Sequence, residues 1–216
     1  MDTFHQRRTN RGFSFVEIVI VIAILALLAA LLLPALARAK SKAIRTNCVS
    51  NLRQVGTAFR LWADDNKERN PQQMPAANGG AMEAAAKGEV FRVFQCMSNE
   101  IFAPKILFCP ADIRQPAADF AALKNANISY FVGLDANESV PTMFITGDRN
   151  LVVNGVPARS GVVSVKTTDS VFWTQEMHQG EGNVGLADGS CRAFTLPAFQ
   201  NALRNTGTNV NRLAFP

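Results

Sequence analysis

The chain has 216 residues, 48% of them hydrophobic, and a formal net charge of +5, so there is room for one domain with its own core beside an N-terminal segment. The charge sits at one end: residues 1–12 carry net +2, residues 13–45 net +3, and residues 46–216, with 15 basic and 15 acidic side chains, sum to zero. The domain therefore has no bulk attraction for a polyanion, and nucleic acid is excluded as an expected partner.

Residues 11–17 read RGFSFVE and open into the apolar run IVIVIAILALLAALLLPALA. Between Phe13 and Ala37 the one ionisable side chain is Glu17. A carboxylate inside a lipid-crossing segment is costly, and where one occurs it has a partner or a function. As a helix, residues 13–37 would span about 37 Å against a hydrocarbon core of about 30 Å, enough to cross with some tilt. The run is too long for the apolar core of a secretory signal, and no small-residue cleavage site follows it. Pro34 removes one backbone hydrogen bond near its far end and is expected to kink the helix. Beyond it, Ile44, Cys48, Leu52, Val55, Phe59 and Trp62 fall at spacings of 4, 4, 3, 4 and 3. That is one helical stripe, so a single helix is expected from Phe13 to about Asp64, with Cys48 on its packed face.

Residues 66–80 are rich in Asn, Pro, Gly and Gln and read as a loop. Residues 81–99 predict one or two short helices interrupted near Gly88. Residues 105–109 predict a short strand ended by Pro110. Further strands are expected at 128–134, 142–146, 162–167, 170–176, 183–187 and 190–195, where β-branched and aromatic residues concentrate. Asp188-Gly189 between the last two signals a tight primed turn. Residues 197–205 predict a short helix followed by a frayed tail. A long N-terminal helix packed on an antiparallel β-sheet is an α+β design.

The cysteines are Cys48, Cys96, Cys109 and Cys191, without a C-x-x-C pair, and the chain has two His. This argues against structural zinc. Outside a reducing compartment a bridge between Cys48, on the stripe, and Cys109, at the end of a strand, would tie helix to sheet across 61 residues of sequence. Cys96 and Cys191 are expected to remain buried thiols. Trp62 and Trp173 occupy apolar patterns and read as core. His178 is followed by nine residues and then Asp188-Gly189. It could serve as a base oriented by Asp188 or Glu176, but there is no G-x-S-x-G elbow and no second His in the domain. The structural reading is favoured: His178 ends a strand and hydrogen-bonds across the loop of Gly180, Gly182 and Asn183.

The order of basic leader, Gly12, Phe13 and Glu17 resembles the processing site of type IV prepilins and type II secretion pseudopilins. The resemblance implies cleavage between Gly12 and Phe13 by prepilin peptidase and N-methylation of Phe13. It also implies a filament-assembly role for Glu17, whose carboxylate would meet the Phe13 amine of a neighbouring subunit. Pro34 stands where that family commonly has a proline. The implied domains are a leader at 1–12, a transmembrane half of the helix at 13–37, an amphipathic half at 38–66 and a pilin-like α+β domain at 67–216. The segment MHQGEGNVGLADGSCRAF, with its H-x9-DG motif of His178, Asp188 and Gly189, resembles the C-terminal region of a pseudopilin-like group. CVSNLRQVGTAFRLWADDN and MSNEIFAPKILFCPAD look similar to the same group. Major pseudopilins of classical systems bind calcium. Asp135, Glu138, Asp148 and Asp188 are the candidate oxygen donors here, although no dense acidic loop is present and calcium takes about six to eight ligands. No other cofactor is expected.

The resulting expectation is a pseudopilin: a non-enzymatic, single-pass subunit of the bacterial inner membrane with its C-terminal domain in the periplasm. Its implied partners are prepilin peptidase, other pseudopilin subunits in a homo-polymer, and an inner-membrane assembly platform. The alternative is a membrane-anchored periplasmic binding protein or hydrolase on a prepilin-type stem. That reading would need a clustered acid/base set or an exposed Trp/Tyr platform, and the sequence displays neither.

Overall fold

The computed structural model describes residues 14–216. The chain divides into two compact units, Met1–Lys42 and Ala43–Pro216. One helix, α1 (Phe15–Asp65), passes through Pro34 without a break and contributes to both. Its amphipathic half belongs from Ala43 onward to the same unit as the sheet.

In the first unit every described residue is exposed, the large apolar ones from Phe15 at 80% to Ile18 and Val19 at 47%. This stretch is long and apolar enough to cross a membrane. Its apolar residues surround the helix and define no face, as lipid requires. In the second unit burial collapses to one stripe: Cys48, Leu52, Val55, Gly56, Ala58, Phe59 and Ala63 are buried, with Ile44 and Trp62 half-buried at its ends. The helix closes at Lys67 and Glu68, both in the left-handed region (φ 58° and 60°), where Glu68 N–H donates to the Ala63 carbonyl.

After two short helices, α2 (Met82–Ala85) and α3 (Val90–Cys96), separated as expected around Gly88, the chain builds β1 (Tyr130–Gly133), β2 (Phe144–Asp148), β3 (Leu151–Val153), β4 (Val156–Pro157), β5 (Gly161–Lys166), β6 (Val171–Trp173), β7 (Gly182–Leu186), β8 (Cys191–Phe194), α4 (Leu196–Arg204) and β9 (Val210–Phe215). The class is α+β. The strands form two antiparallel sheets, one of six strands ordered β5-β9-β1-β2-β7-β8 and one of three ordered β4-β3-β6.

The large sheet is covered on both faces. Tyr130, Val132, Ile145 and Ala214 pack into the cluster that holds α1, α2 and α3. Phe131, Phe144, Val184, Leu213 and Phe215 pack on the other side with Leu151 and Trp173 of the small sheet and Phe199 of α4. Successive side chains of a strand point to opposite faces, so β1 is buried at every position and shows no polar alternation. Phe199 anchors the second layer, stacked on Phe144 at 5.4 Å and tilted against Trp173 at 4.3 Å between ring centroids.

Two expectations are corrected and one hairpin is added. Residues 104–107 form a 3-10 turn, not a strand. Pro104 starts the turn, and side chains from elsewhere in the fold take the groups that follow: Asn51 Nδ2 donates to the Phe108 carbonyl at 3.0 Å and Cys109 N–H donates to Ser129 Oγ at 2.9 Å. The tail after α4 is not frayed. Residues 210–215 are β9, inserted between β5 and β1 with its register fixed on both sides (Val163↔Leu213, Val132↔Ala214). The β3–β4 hairpin was not foreseen, although Asn154-Gly155 between apolar residues is the strongest local hairpin signal and both residues have positive φ (51° and 81°).

Cys48 and Cys109 are joined in a disulfide with Cα atoms 5.1 Å apart and 61 residues of separation. Cys96 and Cys191 are free. The bridge ties α1 to the segment leading into β1. For a loop of this length the chain-entropy model gives about 4 kcal/mol, and engineered cases often show less. Replacing both cysteines by Ser should therefore lower the urea midpoint of the full chain in mild detergent, followed by Trp fluorescence. An unchanged midpoint would show that the bridge adds nothing to the noncovalent seat of the helix.

Candidate functional site

The N-terminal site begins at the start of α1. Glu17 lies in the first turn, and its Oε2 accepts from Ser14 N–H at 2.8 Å. It thereby satisfies one of the donors that a helix start leaves without an intrahelical partner. Gly12 and Phe13, the expected cleavage and methylation positions, lie outside the described residues. Pro34 sits inside the helix, its carbonyl 3.4 Å from Arg38 Nε.

The second site is built around the H-x9-DG motif. His178 opens a one-turn 3-10 segment in which it and Gln179 both have positive φ (51° and 58°). Such a conformation is costly outside glycine and needs support from its surroundings. That support is internal. The His178 side chain is 2% exposed, with Nε2 3.3 Å from Cys109 Sγ and 3.6 Å from Asp148 Oδ2. Asp148, at the end of β2, is fully buried. Its Oδ2 accepts from Asn183 N–H at 2.7 Å and Asn183 Nδ2 at 3.0 Å, while its Oδ1 has no hydrogen-bond partner among the described residues. Arg45 of α1 reaches the rim, pairing with Glu181 and donating a long bond (3.5 Å) to Asn183 Oδ1.

The electrostatics follow from burial. Burial raises the Asp148 carboxyl to about 7, against the opposing pull of the Asn183 donors and the Arg45 charge. Burial, with Arg45 adding to it, lowers the His178 imidazole to about 4. At neutral pH the imidazole is neutral, and the close approach to Asp148 is not an ion pair. Burial and the nearby Asp148 charge push the Tyr130 phenol well above its ordinary value, and the Cys191 thiol is pushed up to about 12.

The other end of the motif seats on α1. Asp188-Gly189 closes β7 onto β8 (Gly185↔Cys191). The turn is not the primed two-residue type: Gly189 has positive φ (80°) while Asp188 does not. Gly189 N–H bonds the Leu186 carbonyl and Leu186 N–H bonds the Ser190 carbonyl, which makes a three-residue loop with its left-handed position on glycine. Arg60 Nη1 donates to the Asp188 carbonyl at 3.2 Å. A Cβ on Gly56 would lie 3.1 Å from the Gly189 carbonyl oxygen, and one on Gly189 would lie 2.7 Å from Arg60 Cδ. His178 and Asp188-Gly189 thus flank β7 and meet the same helix, at the Cys48 bridge and at Gly56–Arg60. From Cys48 to Arg60 is about 18 Å along a helix, close to the about 20 Å from Gly182 to Asp188 along extended chain. The nine-residue spacing is what one strand lying along α1 requires.

Several expected partnerships are corrected. His178 does not bond across the loop of Gly180, Gly182 and Asn183, because its ring turns inward to Cys109 and Asp148. Glu176 is held by Arg149, whose Nη2 bridges it at 2.6 Å to Asp112 at 2.7 Å, so it does not orient His178. Asp188 accepts Ser190 N–H with Oδ1 at 2.8 Å and faces the turn. The calcium donors are not gathered: Asp135 pairs with Arg212, Asp148 is buried beside Asn183, and Asp188 caps its own turn. Among the described residues the one group of three or more metal-competent side chains is Cys48, Cys109 and His178. The sequence had offered Asp148 only as a calcium ligand, named Asn183 only in the loop beside His178, and did not single out Arg45 for this site. No local motif marks them, because they come from different elements and meet through the sheet register.

Residues 7–33 match the prokaryotic N-terminal methylation motif. Together with the long apolar helix and the α+β architecture, that match fits a pilin or pseudopilin: a type IV pilin-like protein processed by prepilin peptidase. The matched residues include Gly12, Phe13 and Glu17, and the H-x9-DG segment lies outside them. No curated protein and no solved structure matches the chain.

The opposed shifts of Asp148 and His178 give a test by pH. The folded state binds the Asp148 proton more tightly than the unfolded state, so this group lowers stability as pH rises from 3.8 to about 7. The folded state binds the His178 proton less tightly, so this group lowers stability as pH falls from 6.5 to about 4. Between them the slopes oppose, each at most about 1.4 kcal/mol per pH unit. Removing one exposes the other. From pH 7 to 4, Asp148→Asn should lose stability relative to His178→Gln, and parallel melting profiles for the two variants would contradict the assignment.

Proposed function

We propose that this chain is a pseudopilin, a structural subunit of a periplasmic filament of the type II secretion or type IV pilus-like kind. In this reading it waits in the bacterial inner membrane as a single-pass protein with its C-terminal domain in the periplasm. The observation that carries the reading is Glu17, a lone carboxylate at the head of an uncovered apolar helix, inside a match to the methylation motif. Prepilin peptidase would release Phe13, and an assembly platform would add the subunit to a homo-polymer. When the apolar helices bundle, the carboxylate loses water and requires a cation, and the new Phe13 amine of a neighbouring copy supplies it. The domain is read as non-enzymatic. The buried position of His178 against a disulfide supports a role in holding the fold.

Two measurements test this. Intact mass of the membrane-extracted protein should correspond to a chain beginning at methylated Phe13. A chain still beginning at Met1, or cut beyond Ala37, would remove the processing step. Glu17→Val should insert in the membrane as well as wild type, because it makes the segment more apolar. It should be depleted at least tenfold from sheared filament fractions, and equal amounts of mutant and wild type there would show that Glu17 does not direct assembly.

A further inference from the structure

The group formed by Cys48, Cys109 and His178 has the donor set of a metal site as well as of a disulfide. The Cys48 and Cys109 Sγ atoms and a ring nitrogen of His178 all lie within 4.8 Å of one another. A candidate fourth donor, Asp148, borders this group on the His178 side. Asp148 Oδ2 is 3.6 Å from His178 Nε2, which is in turn 3.3 Å from Cys109 Sγ. In tetrahedral zinc coordination, ligand bond lengths of about 2.3 Å to sulfur and about 2.0–2.2 Å to nitrogen and oxygen place S and N roughly 3.5 Å apart and N and O roughly 3.4 Å apart. His178 Nε2 already stands at about those separations from Cys109 and Asp148, the bonded sulfurs are too close, and Asp148, outside the group of three, would move toward the sulfurs to complete the shell.

Two independent features point to a cation here. Asp148 is fully buried, yet Oδ1 has no hydrogen-bond partner among the described residues. A buried, half-satisfied carboxylate is a cost unless a positive charge reaches it. Asn183 already supplies what a ligating carboxylate receives from the groups behind it, two N–H donors that fix its orientation. Two thiolates, one carboxylate and a divalent ion leave one negative charge, and Arg45, itself paired with Glu181, stands at the rim.

We propose that in the dithiol state Cys48, Cys109, His178 and Asp148 hold a divalent cation of the zinc class, and that closing the disulfide expels it. The exchange balances with a disulfide oxidant such as oxidised glutathione. The two cysteine thiolates give up two electrons as the Cys48–Cys109 bond forms, the oxidant's S–S bond breaks to two glutathione thiolates, and the cation leaves. The same residues then fasten α1 to the sheet in either redox state, by a metal before oxidation and by a covalent bond after it.

The test uses the full chain in mild detergent, reduced without oxygen and freed of reductant, then titrated with Co²⁺ as the spectroscopic probe. The expected result is one equivalent bound with thiolate-to-cobalt charge transfer and tetrahedral d–d bands, displaced by Zn²⁺. Adding oxidised glutathione should abolish the bands and release the ion to a chelating dye. His178→Gln and Asp148→Asn should each weaken binding at least tenfold, while Cys191→Ala should leave it unchanged. X-ray absorption of the zinc-loaded wild type reports the ligands without any variant, and two sulfurs with two lighter atoms are expected. Absence of charge transfer in the reduced wild type, equal binding by the oxidised protein, or a zinc shell of three or four sulfurs would overturn the proposal.

Discussion

One face of α1, from Cys48 to Ala63, must find cover, and the arrangement of the second unit follows from how it does so. The face is apolar and narrow, with Gly56 and Ala58 in its middle. Small residues there let backbone approach closely, and the Asp188-Gly189 turn fills that space with its carbonyls. At one end the seat is closed covalently by Cys48–Cys109, at the other by Arg60 on the turn. The large sheet can therefore present Tyr130, Val132 and Ile145 to the helix and turn its other face to α4 and the small sheet. A helix alone could be covered in many ways. The two fastenings select one register.

The sequence pattern displayed the helix fully because its cause is local. Periodicity of 3.6 from Ile44 to Trp62 and its absence through the apolar run are properties of neighbouring residues, and the helix ends within two residues of its expected limits. The strands were legible less evenly. β5, β6, β7 and β8 stand where β-branched and aromatic residues concentrate. β9 was missed because the polar stretch around Thr206 and Thr208 reads as a tail, while its strand character is created by partners about 50 and 80 residues away, β5 and β1. The β3–β4 hairpin of the second sheet was missed for a different reason. β3 and β4 are two or three residues long, too short to express a period, and only the Asn154-Gly155 turn announced them.

The site shows the same division. Gly12, Phe13 and Glu17 form a contiguous motif, so a reading of order alone finds them. His178 and Asp188-Gly189 were visible as a spacing, but their meaning was not. The ring faces a disulfide and a carboxylate brought from β2, and the turn faces Gly56 and Arg60. The interval of nine residues is a length, that of one strand lying along a helix.

Asp148 is the residue that a purely structural account explains least. A carboxylate with no exposure, one oxygen without a hydrogen bond and a neutral imidazole beside it gains less from its surroundings than it loses on leaving water. Asn183 offsets part of that loss with two donors, and Arg45 offsets a further part from the rim. An apolar side chain of similar size would need neither. The pocket that His178 reaches with two successive residues in a strained conformation is the pocket into which this carboxylate is built. Two costs converge on one pair of sulfurs, and that convergence is the physical reason to look for a charge that the disulfide state does not need and the dithiol state would accept.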